Sequence, residues 1–145
     1  MGATDNHAFN EIPVLQGGFA PVEREITVDL TDIEGEIPKD LTGMYVRNGP
    51  NRRFEAPGRY HWFDGDGMLH AVRLQGGKAQ YQNRWVMTDG LQEELAAGSA
   101  LWQGIKDPPR KDRPDMPLKN TSNTDVKFFA GTLVSMWYLG GAVIG

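Results

Sequence analysis

The chain has 145 residues, 39% of them hydrophobic and 23% charged, with a formal net charge of −4. That length supports one ordinary domain with a real core, and the balance is that of a soluble globular chain rather than a basic nucleic-acid binder. With no cysteine, disulfides, thiolate nucleophiles and thiolate-held zinc are excluded, while 18 Gly and 9 Pro favour short strands joined by turns.

The opening MGATDNHAFNEIP has neither a basic n-region nor an apolar h-region, so no secretory signal is expected. Together with the lack of cysteine this sets the expected location as cytoplasmic. Asn6 stands where N-myristoylation wants Ser or Thr. Residues 1–17 read as an extended leader and 18–145 as the folded portion. EREITVDLTDIEGEIP alternates weakly, which predicts a half-buried strand with Ile26, Val28 and Leu30 on one side. MYVR predicts a short strand entering a turn at NGPN. MLHAVRL and KAQYQNRWV, separated by QGG, predict a hairpin.

DGLQEELAAGSALW carries Leu91, Leu95 and Leu101 on a helical pattern, and Asp89 stands three before Gln92 like a capping box. One short helix is expected there. KDPPRKDRPDMP reads as an exposed loop, and DVKFFAG with TLVSMWYL as a second hairpin turning at Ala130 and Gly131. The uncharged run FFAGTLVSMWYLGGAVIG is interrupted by Ser, Thr and Gly, so a buried hairpin explains it better than a transmembrane segment. The sum is an all-β chain of antiparallel hairpins with one short helical insertion. Its unpaired strand edges make self-association an expected property.

The densest chemistry lies in YHWFDGDGM, residues 60–68. As a calcium loop it fails: counted from Asp64, the fifth position is Met68 and the twelfth is Gln75, neither an acidic ligand. His61 and His70 are nine apart with a turn between them, and His7, in the leader, is the only third histidine. A transition-metal site needs three or four converging ligands. There is no Gly-x-Ser-x-Gly and no phosphate-binding loop, and no histidine stands near the serine of GSALWQG to activate it. By local chemistry the two Asp-Gly pairs are turns and the flanking aromatics are core. No catalytic residue and no metal ligand set is readable in the chain.

GMYVRNGPN (43–51), YHWFDGDGM (60–68), YQNRWV (81–86) and KNTSNTDV (119–126) resemble, in order, the N-terminal part of the carotenoid cleavage oxygenase family. ALWQGIKDPP with KNTSNTD is most similar to its lignostilbene dioxygenase branch. The resemblance implies a seven-bladed β-propeller holding one non-haem Fe(2+) through four histidines, and cleavage of an alkene C=C bond by O2 into two carbonyl products. The substrate class it implies is an apolar conjugated alkene, a stilbene or an apocarotenoid. Neutral imidazoles suit divalent iron and leave positions open for O2. The family's ligand histidines match no position here and are expected downstream. At about 40–50 residues per blade, the chain amounts to about three blades of the seven.

The resemblance also nominates substrate-pocket residues. Thr124 matches a position near the iron's open coordination site. Lys119 matches a lysine that lignostilbene-cleaving relatives use to hold a phenolic oxygen, where an ammonium favours phenolate; the alternative is a solvated lysine at a strand edge. Trp85 stands where an aromatic of the pocket is expected. Many relatives carry LWE, whose Glu orients an iron-bound histidine, whereas this chain reads MWYL with Tyr138. A fragment of this kind is expected to be inactive alone. The competing expectation is a small β-hairpin interaction module on the same scaffold, without catalysis.

Overall fold

Gly76 and Gly77 both take positive φ, 59° and 78°, the twist that a two-residue turn needs to join two antiparallel strands. They connect β3 (Asp66–Gln75) to β4 (Lys78–Trp85), the central hairpin of the molecule. In the computed structural model, which describes residues 12–55 and 58–144, this hairpin lies between two edge strands, β1 (Thr27–Leu30) and β2 (Gly43–Asn51). The order is β1-β4-β3-β2, antiparallel throughout. A second hairpin turns at Ala130 and Gly131, also at positive φ. It begins a three-stranded sheet of β5 (Asp125–Phe129), β6 (Thr132–Trp137) and β7 (Gly140–Ile144). Helix α1 (Asp89–Ala97) is inserted between the sheets in sequence. The architecture is all-β with one helical insertion, as the hairpin pattern predicts.

Several local expectations shift. NGPN is not a turn: β2 runs through it to Asn51, because Pro50 sits on an edge strand where its missing N–H costs no ladder bond. β1 is exposed along its whole length, so Ile26, Val28 and Leu30 do not face a core. As an edge strand, β1 is held through its pairing with β4. The helix cap is Thr88, whose Oγ1 accepts the Leu91 N–H at 3.2 Å; Asp89 is the first helical residue instead. Leu95 and Leu101 are exposed, and the helix turns Leu91 and Glu94 inward. The leader is not simply extended in its described part: Pro13–Leu15 forms a 3-10 turn that buries Leu15.

Buried amides do much of the organising. Met68 has no exposed surface, and its Sδ accepts from Asn51 Nδ2 at 3.5 Å and Asn83 Nδ2 at 3.3 Å. Each amide also reaches the segment before β1. Asn51 Oδ1 accepts the Val22 N–H and Nδ2 donates to Val22 O, both at 2.8 Å. Asn83 does the same for Ile26 N–H and Arg24 O, also at 2.8 Å. These side chains stand in for a strand partner and leave few of their own polar atoms unpaired.

The segment 119–124 ties the two sheets together. The Gly67 N–H donates to Thr121 O at 2.7 Å, and Asn48 Nδ2 donates to Ser122 O at 2.8 Å and Asp125 O at 3.0 Å. Asn123 Nδ2 donates to Phe63 O and Gly65 O, while Ser122 Oγ and Ser135 Oγ are 2.7 Å apart. Ser122 is fully buried at φ 47°, a left-handed conformation that a non-glycine residue holds only when its surroundings fix it.

Candidate functional site

Three elements converge on Lys119. The first residue of β3 supplies Asp66, the inward face of α1 supplies Glu94, and Lys119 enters from the loop after residue 118. Its Nζ lies 2.8 Å from Asp66 Oδ1 and 2.7 Å from Glu94 Oε2, with all three side chains almost wholly buried. Asp66 Oδ1 has no hydrogen bond beyond this ion pair. Glu94 Oε1 accepts the Leu101 N–H at 2.9 Å and that of Trp102 at 3.4 Å, so one carboxylate caps the turn after the helix as well. The reading of Lys119 as a solvated strand-edge lysine is therefore corrected. The carboxylates of a turn motif and of a helix remove it from water.

Charge decides what this cluster can do. Two carboxylates share one ammonium, leaving one excess negative charge. Burial raises the Asp66 carboxyl above its ordinary value, and nearby Glu94 adds to the rise, while Lys119 opposes it. Burial alone would lower the Lys119 ammonium. The attraction of Asp66 and Glu94 outweighs that, and its net direction is upward. Lys119 is thus a fixed cation rather than a proton donor or nucleophile.

A narrow cleft of about 50 Å³ adjoins the cluster, with Tyr60, Trp102, Thr121 and Trp137 in its wall. Arg52 lies over the Tyr60 ring at 4.8 Å. Burial, opposed by Arg52, pushes the Tyr60 hydroxyl up to about 12. The proline-rich loop is exposed, as its composition predicts, and it is anchored beside this cleft. Arg110 and Arg113 lie over Trp102 at 5.3 and 5.6 Å, Arg113 pairs with Glu93 at 2.8 Å, and Trp102 Nε1 donates to Met116 O at 3.0 Å. Cation-π stacking and a bidentate ion pair anchor the exposed loop.

Trp85 lies elsewhere. It lines an apolar cleft of about 360 Å³ between the sheets, with Met44, Leu69, Met87, Leu133 and Ile144. Thr124 is exposed immediately before β5, its N–H donating to Met136 O at 2.9 Å, and it lines neither cleft. The structure does not bring Lys119, Trp85 and Thr124 into one cavity. Asp66 and Glu94 were not singled out by the motif reading. The available signal was Glu94 three residues after Leu91, which puts it on the buried helical face.

Both described histidines have local work. The backbone N–H of Phe63 donates to His61 Nδ1 at 3.2 Å, closing a capping box with Asp64 over the 3-10 turn Trp62–Asp64. His70 Nδ1 is 2.7 Å from the Tyr81 hydroxyl across the β3–β4 ladder. His7 lies outside the described residues. Among the described residues no group of three or more His, Asp or Glu side chains is placed to hold a metal, so they do not fit the four-histidine iron site that the family resemblance implies.

Burial, with Arg47 nearby, depresses the His70 imidazole below its ordinary 6.5. The fold then prefers neutral His70, and its contribution is present above the unfolded value and lost as pH falls through and below about 6.5. His70→Gln is expected to flatten this acid limb in melting temperature measured against pH. An unchanged limb would assign it to other groups.

Comparison with known proteins accounts for these motifs. Residues 19–142 match the family described as retinal pigment epithelial membrane protein. The chain is 46% identical over 95 residues to carotenoid 9,10(9',10')-cleavage dioxygenase 1 of Arabidopsis thaliana, covering 64% of this chain and 18% of that protein. It is 35% identical over 128 residues to apocarotenoid-15,15'-oxygenase of Synechocystis, covering 83% of this chain and 26% of the relative. Cobalt-substituted Synechocystis apocarotenoid oxygenase superposes with a TM-score of 0.72 at 33% identity, over 86% of this chain and 27% of its own. Lignostilbene dioxygenase of Pseudomonas brassicacearum superposes with a TM-score of 0.72 at 28% identity, over 86% and 26%. The chain thus spans about a fifth to a quarter of the length of these relatives. The four motifs, the two antiparallel sheets and the match over residues 19–142 place this chain in the carotenoid cleavage oxygenase family, as part of its β-propeller.

Proposed function

We propose that this chain is part of a cytoplasmic non-haem iron(II) dioxygenase that cleaves a C=C bond of an apolar conjugated alkene with O2, giving two carbonyl products. The observation that carries this reading is the superposition on apocarotenoid oxygenase and lignostilbene dioxygenase over 86% of the chain. On this reading the iron is held by histidines that these residues do not include, and the chain contributes scaffold and pocket wall. Thr124, exposed just before β5, is the residue that would stand near the iron's open side, and Trp85 belongs to an apolar wall.

The Lys119 cluster bears on the substrate. An ammonium already held by two buried carboxylates is costly to withdraw for a phenolate, since its removal strands both. That favours an apocarotenoid, which needs no phenolate anchor, over a phenolic stilbene. Lys119 then acts as a buried strut behind the pocket.

The test replaces the matching segment of Synechocystis apocarotenoid oxygenase with residues 19–142 and measures iron content and products. The expected chimera binds iron and cleaves an apocarotenoid into two carbonyl compounds, with a hydroxystilbene the poorer substrate. A folded, iron-loaded chimera that cleaves neither would refute the assignment, and one preferring the stilbene would refute the substrate argument. The 145-residue chain alone is expected to hold no stoichiometric iron and to turn over neither substrate.

A further inference from the structure

Asn48 is the only asparagine in the chain that is followed by glycine. A glycine there leaves its backbone nitrogen unscreened by any Cβ, and that nitrogen can reach the asparagine carboxamide by closing a five-membered ring. The structure folds the two groups onto each other, the Gly49 N–H donating to Asn48 Oδ1 at 2.9 Å. β2 is an outer strand that pairs only with β3, and both residues are half-buried. Nothing lies within 4 Å of a methyl added at Gly49, so water and hydroxide can come to this stretch of backbone.

Two contacts hold the reaction back. Asn48 Nδ2 donates to Ser122 O at 2.8 Å and to Asp125 O at 3.0 Å, so both hydrogens of the leaving group are tied to the other sheet. The Gly49 nitrogen presents its hydrogen, rather than its lone pair, to the carboxamide. The bonds that seal the sheets together therefore also fix the carboxamide out of line for attack. Release of the segment around Ser122 frees the side chain to rotate.

We infer that Asn48 is a deamidation site gated by the seal between the two sheets. Once the seal opens, the Gly49 nitrogen gives its proton to hydroxide and bonds to Asn48 Cγ. The Cγ–Nδ2 bond breaks, and ammonia leaves with a proton drawn back from water. Water then opens the imide at one of its two carbonyls, leaving aspartate or isoaspartate at position 48. The sum is one water taken up and one ammonia released, with no oxidation. A carboxylate cannot donate to Ser122 O and Asp125 O, and it sets a charge against two carbonyl oxygens instead. Isoaspartate also lengthens the main chain, which displaces Pro50 and Asn51 from their β3 partners Gly67 and Asp66. The modified chain does not reseal.

Incubation of the 145-residue chain at mildly alkaline pH, followed by mass spectrometry of the tryptic peptide 48–52, tests this. In native buffer Asn48 is expected to convert at least about tenfold more slowly than in urea, because only the opened state reacts. Gly67→Ala, which loosens the 119–124 segment, is expected to convert at least about tenfold faster than wild type in native buffer, the factor that about 1.4 kcal/mol of easier opening gives. A Gly67→Ala chain that fails to fold should match the rate in urea, and native against urea-unfolded wild type then decides. Gly49→Ala, whose methyl meets open space, should keep wild-type stability and slow conversion several-fold in both solvents. Asn48→Asp should speed hydrogen exchange at the Gly67 N–H, which Thr121 O holds in the sealed structure. Equal rates in native buffer and urea, an Asn48 that stays intact in urea, a Gly67→Ala chain no faster or a Gly49→Ala chain no slower than wild type, or unchanged Gly67 protection in Asn48→Asp would each overturn the proposal.

Discussion

Gly67→Ala is expected to destabilise the fold by about 2–4 kcal/mol, the sum of an overpacked contact and a weakened buried hydrogen bond. A Cβ at this position would stand 2.5 Å from Ser122 O and 2.9 Å from Thr121 O. Both obstacles are backbone, so no side chain can swing aside. The same glycine donates its N–H to Thr121 O and accepts the Val86 N–H at 2.8 Å, and a shift to relieve the clash disturbs both. Gly49→Ala on the neighbouring strand is the control, because nothing lies within 4 Å of its added methyl. Denaturant midpoints should separate the two variants clearly. Equal midpoints would show that the close approach of β3 to the 119–124 segment carries no stability.

Lys119→Met is the second large effect. It leaves Asp66 and Glu94 buried without a counter-charge, for which about 3–5 kcal/mol is the usual cost. The pH dependence identifies the cause. Burial already raises the Asp66 carboxyl, and without the ammonium that opposes the rise it binds a proton more readily in the fold than in the unfolded chain, so the variant should regain stability as pH falls toward the acid range. Wild type should not show that recovery to the same degree, because its ammonium favours the ionised carboxylates. Removing one carboxylate in the same background, as Lys119→Met with Glu94→Gln, should return part of the loss at neutral pH. A flat pH profile in urea unfolding would mean that lost side-chain packing, not charge, causes the defect.

The elements most legible in the sequence were those whose signal is local. The β3–β4 turn needed two residues at positive φ, and the QGG segment supplied Gly76 and Gly77. The second hairpin was equally plain at Ala130 and Gly131. Helix α1 was visible by its spacing, but its cap was misassigned by one residue, since Thr88 and Asp89 are both good caps and only backbone geometry separates them. Alternation misled at β1, because period-two patterning announces a strand without saying whether a layer covers it. The Lys119 cluster was half legible. Family resemblance marked the lysine, but its carboxylate partners are 53 and 25 positions away, Asp66 at the foot of a turn motif and Glu94 amid exposed acids. Tertiary convergence of that kind leaves no local signature.

The order in which the chain is synthesised gives the 119–124 segment a further significance. Strands β1 to β4 are all present once Trp85 has emerged, yet the Asn48 amide and the Gly67 N–H must wait for Ser122 and Thr121. Asn48 and its acceptor are 74 positions apart. Until that late stretch arrives, the first sheet carries unsatisfied amides on the side where it later meets its neighbour, and its closing contacts are of the slow, long-range kind. A nascent chain halted inside the proline-rich loop would therefore hold a formed but unsealed sheet, the state in which a chaperone or a wrong strand gains its opportunity.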